Sequence, residues 1–191
     1  MVCCGVLALQ GAFREHCEML KSLNCNVIEI RELNDLHGID GIIIPGGEST
    51  VMRKLGNQMG LLKEIQRMAK NDKIPVFGTC AGLILLSKTI QNDKEDNGLA
   101  LLDVCVERNS YGSQLDSFVQ KVSSCLGEIE GVFIRAPKII STAENVEILA
   151  TFKHEVVAVR QGNVLGCSFH PELTRDSRFH EYFIAMCMEN K

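Results

Sequence analysis

Three short aliphatic runs in the first half of this chain end at glycine and turn at once into a helical pattern, and this repetition constrains the fold more than any other feature. Cys4 to Leu9 ends at Gln10-Gly11 and is followed by Phe13, Cys17, Leu20 and Leu23 at helical spacing. Gly41 to Ile44 ends at Pro45-Gly46-Gly47, since proline and two glycines cannot continue a ladder. Ser49 then opens a helix, predicted over 49–70, with Met52, Leu55, Met59, Leu62, Ile65 and Met68 on its buried face and a break near Gly56 or Gly60. Ile74 to Thr79 breaks at Gly78, presents Cys80 and runs at once into an apolar helix. With Asn26 to Ile30 as a further strand, the alternation predicts a mostly parallel sheet with helices on both faces. In such sheets ligands sit beyond the carboxyl ends of the strands, so the loops after Leu9, Ile44 and Phe77 should converge on one edge.

Beyond Gln91 the pattern changes. A polar stretch, 92–98, is expected as a solvated loop. Short strands follow at Val104–Val106, Phe118–Val122, Val132–Ile134, Ile148–Phe152, Val156–Arg160 and Val164–Phe169, some of them antiparallel hairpins. Phe179, Tyr182, Phe183, Met186 and Cys187 mark a closing helix over Ser177–Met188. With 191 residues, 46% hydrophobic content and no linker-like segment, the expectation is a single domain spanning 1–191. A net charge of -4 with no basic patch argues against nucleic acid or a membrane surface as partner. No run approaches the ~20 apolar residues of a membrane span, and the first residues lack the basic start of a signal peptide, so a cytoplasmic location is expected.

The nine cysteines form no zinc-like spacing, and an odd number without a secretion signal predicts reduced thiols. Cys105, Cys125, Cys167 and Cys187 read as small hydrophobes. Cys80 is different, because a side chain on a sharp strand-to-helix turn is held outward while the first N–H groups of the helix point at the same spot. Such a position suits a nucleophile and an oxyanion site together. After the last strand comes His170-Pro171-Glu172. A histidine there can take the thiol proton, and a carboxylate two residues on can fix its tautomer, which makes Cys80, His170 and Glu172 a candidate catalytic triad. His16, His37, His154 and His180 sit in helix or loop patterns with no nucleophile in sequence reach, and surface placement is expected for them.

Gly-Thr-Cys-Ala-Gly with a distant His-Pro-Glu resembles the class I glutamine amidotransferases. Five blocks, at 8–16, 44–50, 107–118, 133–137 and 166–173, are similar to the glutaminase subunits of pyridoxal 5'-phosphate synthase, with Pro-Gly-Gly-Glu-Ser-Thr and Ile-Arg-Ala-Pro the most specific. The resemblance implies a three-layer, flavodoxin-like α/β fold and hydrolysis of L-glutamine to glutamate and ammonia. In that scheme Cys80 is the nucleophile, His170 base and acid, and Glu172 its orienter. It also implies an oxyanion hole from the N–H groups of Gly47 and Ala81, and a glutamine site from Gly47, Glu48, Ser49, Arg108, Ile134 and Arg135. Glu48 has a second reading, as an acid favouring the start of the 49–70 helix. Val51 and Ser113 depart from the usual residues of the family. No cofactor or metal is implied. The implied protein partner is a synthase subunit that receives the ammonia.

The rival readings are a glutaminase subunit serving a different synthase, a stand-alone cysteine hydrolase or peptidase of the same fold, and a non-catalytic binding module with a vestigial triad. For the glutaminase reading, docking of the synthase is expected to complete the oxyanion hole by reorienting backbone near Gln10-Gly11 or Gly46-Gly47, because glycine-bearing loops can flip a peptide. Arg14, Glu15 and His16 of the first helix form the candidate docking face.

Overall fold

The computed structural model describes residues 1–91, 98–108 and 117–190. Residues 92–97 of the polar stretch, most of the 107–118 block and Ser113 therefore lie outside the described residues. The elements are β1 (Cys3–Leu7), α1 (Phe13–Ser22), β2 (Asn26–Ile30), β3 (Gly41–Ile44), α2 (Ser49–Gln58), α3 (Leu61–Arg67), β4 (Val76–Thr79) and α4 (Ala81–Leu86). They continue with β5 (Ser87–Ile90), β6 (Leu102–Glu107), β7 (Ser117–Ser124), β8 (Gly127–Ile134), β9 (Lys138–Thr142), β10 (Glu147–Phe152), β11 (Glu155–Gln161), β12 (Val164–Cys167) and α5 (Arg178–Glu189).

A nine-stranded sheet in the order β2-β1-β3-β4-β12-β11-β10-β7-β8 forms the centre. Pairing from β2 through to β12 is parallel, and from β12 to β8 antiparallel. The parallel strands are buried on both faces, which is why they read as continuous aliphatic runs. Their alternation serves two cores. Ile42 and Ile44 of β3 join Met52, Leu62 and Ile65 of α2 and α3 on one side. Ile43, Phe77 and Leu165 join Leu20 of α1 and Phe179 and Phe183 of α5 on the other. The result is the expected three-layer α/β architecture.

The helix predicted over 49–70 does break. Gly60 takes a left-handed φ of 73°, which separates α2 from α3 at little steric cost. Gly56 stays helical, and a Cβ there would lie 2.7 Å from Leu62 Cγ, so its bareness lets the two helices close up.

A second sheet, β5-β6-β9, was legible only through β6. The apolar run after Cys80 reads as helix to Ser87, yet the chain extends from Ser87 because β5 finds β6 as a parallel partner. Lys138–Thr142 is short and half polar, and becomes a strand by pairing antiparallel with β6. Of the four cysteines read as small hydrophobes, Cys167 and Cys187 are buried, Cys105 is half-buried and Cys125 is exposed. No helix among the described residues is long and apolar enough to cross a membrane.

Candidate active site

The register of β4 against β12 builds the site. Thr79 pairs with Cys167, so the residues that follow each strand, Cys80 on one and Ser168 to His170 on the other, leave the sheet side by side. The Cys80 N–H donates to the Cys167 carbonyl at 2.9 Å, fixing the turn to its neighbour. Cys80 itself has φ 48° and ψ -103°, a conformation side-chain-bearing residues rarely adopt. Two glycines make room for it. A Cβ on Gly82 would lie 2.0 Å from the Ile44 carbonyl oxygen, and one on Gly78 would lie 2.6 Å from the Gly82 carbonyl carbon. Only bare backbone lets α4 start so tightly against β3 and β4, which is the geometry of a nucleophile elbow.

His170 is anchored by its N–H to the Val132 carbonyl of β8 at 2.8 Å. Its ring occupies space that a side chain on Gly46 would fill, since a Cβ there would lie 2.2 Å from His170 Cε1. His170 Nδ1 is 2.6 Å from Glu172 Oε1, and the ring also faces the Cys80 thiol. Burial pulls the imidazole down, but its hydrogen bonds to Cys80 and Glu172 and the charges of both outweigh that, pushing its pKa up to about 10. Burial likewise opposes the Glu172 carboxylate, and the rings of His16 and His170 more than offset it, holding Glu172 below the usual carboxylate range. The imidazole thus stands between the Cys80 thiol and an ionised carboxylate, the order of groups that a base serving a nucleophile requires.

A cavity of about 460 Å³ opens in front of this group. Its walls bring together Cys80, His170, Gly47, Ala81, Glu48, Ser49, Arg108, Ile134 and Arg135, every residue expected at the site except Glu172, which stands behind His170. The cavity also takes in Gly11 and Glu15 from the first glycine loop and α1, so the three loops do converge on one edge. The Cys80 thiol donates to the Ile134 carbonyl at 3.7 Å, and Arg135 carries a positive φ of 46° that turns the chain after β8. Glu48 caps α2, accepting from the Thr50 N–H at 3.3 Å and the Thr50 hydroxyl at 2.9 Å. The two glycine loops hold each other: the Ala12 N–H donates to the Gly46 carbonyl at 3.0 Å, and the Glu48 N–H to Gln10 Oε1 at 2.7 Å. Among the described residues no cluster of histidine, cysteine and acidic side chains could hold a metal ion.

Two expectations fail here. His16 and His180 are fully buried rather than on the surface, and His16 cannot belong to a docking face. They lie behind the site, with His16 Nδ1 2.9 Å from His180 Nε2, and His16 Nε2 3.1 Å from Thr79 Oγ1 and 3.4 Å from Glu172 Oε2. A signal was available. Position 16 lies on the same helical stripe as Phe13 and Leu20, and position 180 is flanked by Phe179 and Phe183, so the 3.6-residue period places both rings inward.

Residues 6–189 match the family model described as the SNO glutamine amidotransferase family. The chain belongs to the SNO glutamine amidotransferase family. Members similar to it include the pyridoxal 5'-phosphate synthase subunit PdxT of Oenococcus oeni, 49% identical over 98% of this chain and 97% of that protein. The subunit of the same name from Anoxybacillus flavithermus is 48% identical over the full length of both chains. A solved structure described as a glutamine amidotransferase superposes with a TM-score of 0.93 at 45% identity, covering 97% of this chain and 98% of the other. The family's glutamine amidotransferase fold is thus the one built by the sheet order above.

Proposed function

We propose that this SNO-family chain, as one domain over 1–191, is the glutaminase subunit of a pyridoxal 5'-phosphate synthase. Cys80 attacks the side-chain amide carbon of L-glutamine, and the N–H groups of Gly47 and Ala81 receive the developing oxyanion. His170 gives its proton to the departing ammonia, leaving a γ-glutamyl thioester and a neutral imidazole. Water, deprotonated by that imidazole, then cleaves the thioester to glutamate and regenerates the thiol. Glu172 holds the His170 tautomer throughout. Arg108 and Arg135 on the cavity wall suit the substrate carboxylate, and acceptors such as the Ile134 carbonyl suit its ammonium.

The observation that carries this reading is the side-by-side exit of Cys80 and His170 from β4 and β12 into one cavity, with Glu172 2.6 Å behind the imidazole. The relatives' name, pyridoxal 5'-phosphate synthase subunit, supports a second subunit of that synthase as the destination of the ammonia, and we place both in the cytoplasm. The test is glutamate release from glutamine by the wild-type chain and by Cys80→Ala, each with the synthase subunit present. Complete loss in Cys80→Ala supports the reading. Undiminished release by Cys80→Ala would remove Cys80 as the nucleophile and sink the reading, whereas no release by the wild type would sink it and leave the binding module as the better account.

A further inference from the structure

The carboxylate of Glu172 is used on one side only. Oε1 meets His170, whereas Oε2 is buried with no hydrogen bond among the described residues, and what faces it is His16 Nε2 at 3.4 Å. A buried carboxylate oxygen left without a donor is costly, and more so when the group is charged. The state of the His16 ring therefore matters to Glu172.

Both ends of the buried chain select one state. If His16 Nδ1 carried the proton and donated to His180 Nε2, the single ring proton of the neutral His180 would sit on Nδ1, where no acceptor is found among the described residues. The bare Nε2 lone pair of His16 would at the same time face the Glu172 carboxylate. In the opposite arrangement His180 Nε2–H donates to His16 Nδ1, and His16 Nε2–H points at Thr79 Oγ1 and Glu172 Oε2. Only an unprotonated lone pair on His180 is then left unmatched, a smaller penalty than an orphaned N–H.

Resting on the triad reading above, we propose that His16, set in its Nε2–H tautomer by His180, is a positioning residue that fixes the free oxygen of Glu172 and through it the orientation of His170. Helix α1 and helix α5 thereby support the reacting thiol from behind the sheet. Burial keeps both rings neutral, pushing His180 down to about 3 and His16 below its usual value, so the pair donates without adding a competing charge. His170 is kept in one tautomer by a series of buried polar side chains, Glu172 backed by His16 and His180, rather than by Glu172 alone.

The first test uses the unsubstituted chain with ring-15N-labelled histidine. Long-range proton–nitrogen correlation should show His16 with Nε2 protonated and Nδ1 bare; the reverse tautomer overturns the proposal. The second measures glutamine turnover with the synthase subunit present. His16→Leu should lower kcat about 10–100-fold with KM for glutamine little changed, while His16→Gln, able to place an amide N–H near the Nε2 position, should recover most of it. Wild-type kcat in His16→Leu, or equal losses in the Leu and Gln variants, overturns the proposal. Glu172→Ala separates this from the triad itself. If that variant keeps full turnover, the triad reading falls; if it loses turnover while His16→Leu does not, only the role of His16 falls. Should His16→Leu fail to fold, the tautomer measured on the unsubstituted chain still decides.

Discussion

Lowering the pH from 7 to 5 should cost this fold about 2 kcal/mol through His180 alone, an acid sensitivity that His180→Gln should remove. The ring is fully buried beside Phe77 and His16, and burial depresses its pKa from 6.5 to about 3. As the pH falls through 6.5 the unfolded chain takes up a proton on this ring and the folded chain does not, so acid favours the unfolded state. At pH 5 the unfolded ring lies one and a half units below its midpoint, which at about 1.4 kcal/mol per unit gives about 2 kcal/mol. The other shifted groups of the site do not mimic the effect. Glu172 is lowered and acts below 4.5, and His170, raised to about 10, acts between 6.5 and 10 with the opposite sign. His16 is also lowered and adds to the loss, but it is present in both proteins and cancels in the comparison. Glutamine at 180 stays neutral and keeps an N–H for His16. Urea unfolding at pH 7 and pH 5 by far-ultraviolet circular dichroism should show the wild type losing about 2 kcal/mol more than His180→Gln. Equal losses in the two proteins would refute the reasoning, because the buried ring would then not be the group taking up the proton.

Gly82→Ala places a methyl group 2.0 Å from the Ile44 carbonyl oxygen and forces the elbow off the sheet. The loss should be at least about 1–3 kcal/mol in a thermal melt, with glutamine turnover falling further than stability does; a wild-type melt would show that the elbow has slack. Arg108→Ala should raise KM for glutamine about 10–150-fold, the equivalent of one charge-assisted hydrogen bond of about 1.5–3 kcal/mol, with a smaller effect on kcat. An unchanged KM would remove Arg108 from the glutamine site. Turnover by the free chain should be well below that of the chain with its synthase, since the Gly46 carbonyl is tied to the Ala12 N–H and must let go for the loop to reorient; equal rates would refute docking as the completing step.

Much of this molecule can be read from local pattern. The glycine-ended strands, a helix break near Gly56 or Gly60, the cysteine elbow and the His-Pro-Glu step are each specified within a dozen residues by φ/ψ demands and hydrophobic period. Nonlocal pairing decided the remainder. Ser87–Ile90 leaves a helical pattern for a strand because β6 lies alongside it, and Lys138–Thr142 becomes a strand on the same partner. Arg108 reaches the cavity wall from the end of β6, a strand of the second sheet, so its place there was legible only from family resemblance.

His16 and His180 draw the line most clearly. Helical period was enough to turn both rings inward, but residues 164 positions apart meet at 2.9 Å only because α1 and α5 pack on the same face of the sheet. The sequence alone determined the alternating α/β frame, the strained corner that presents Cys80, and the residue types needed to attack an amide, since these depend on neighbours along the chain. Tertiary structure decided what stands behind them: a buried interior where an unmatched proton is expensive, so that the packing of two distant helices brings the rings of His16 and His180 to the back of the Glu172 carboxylate.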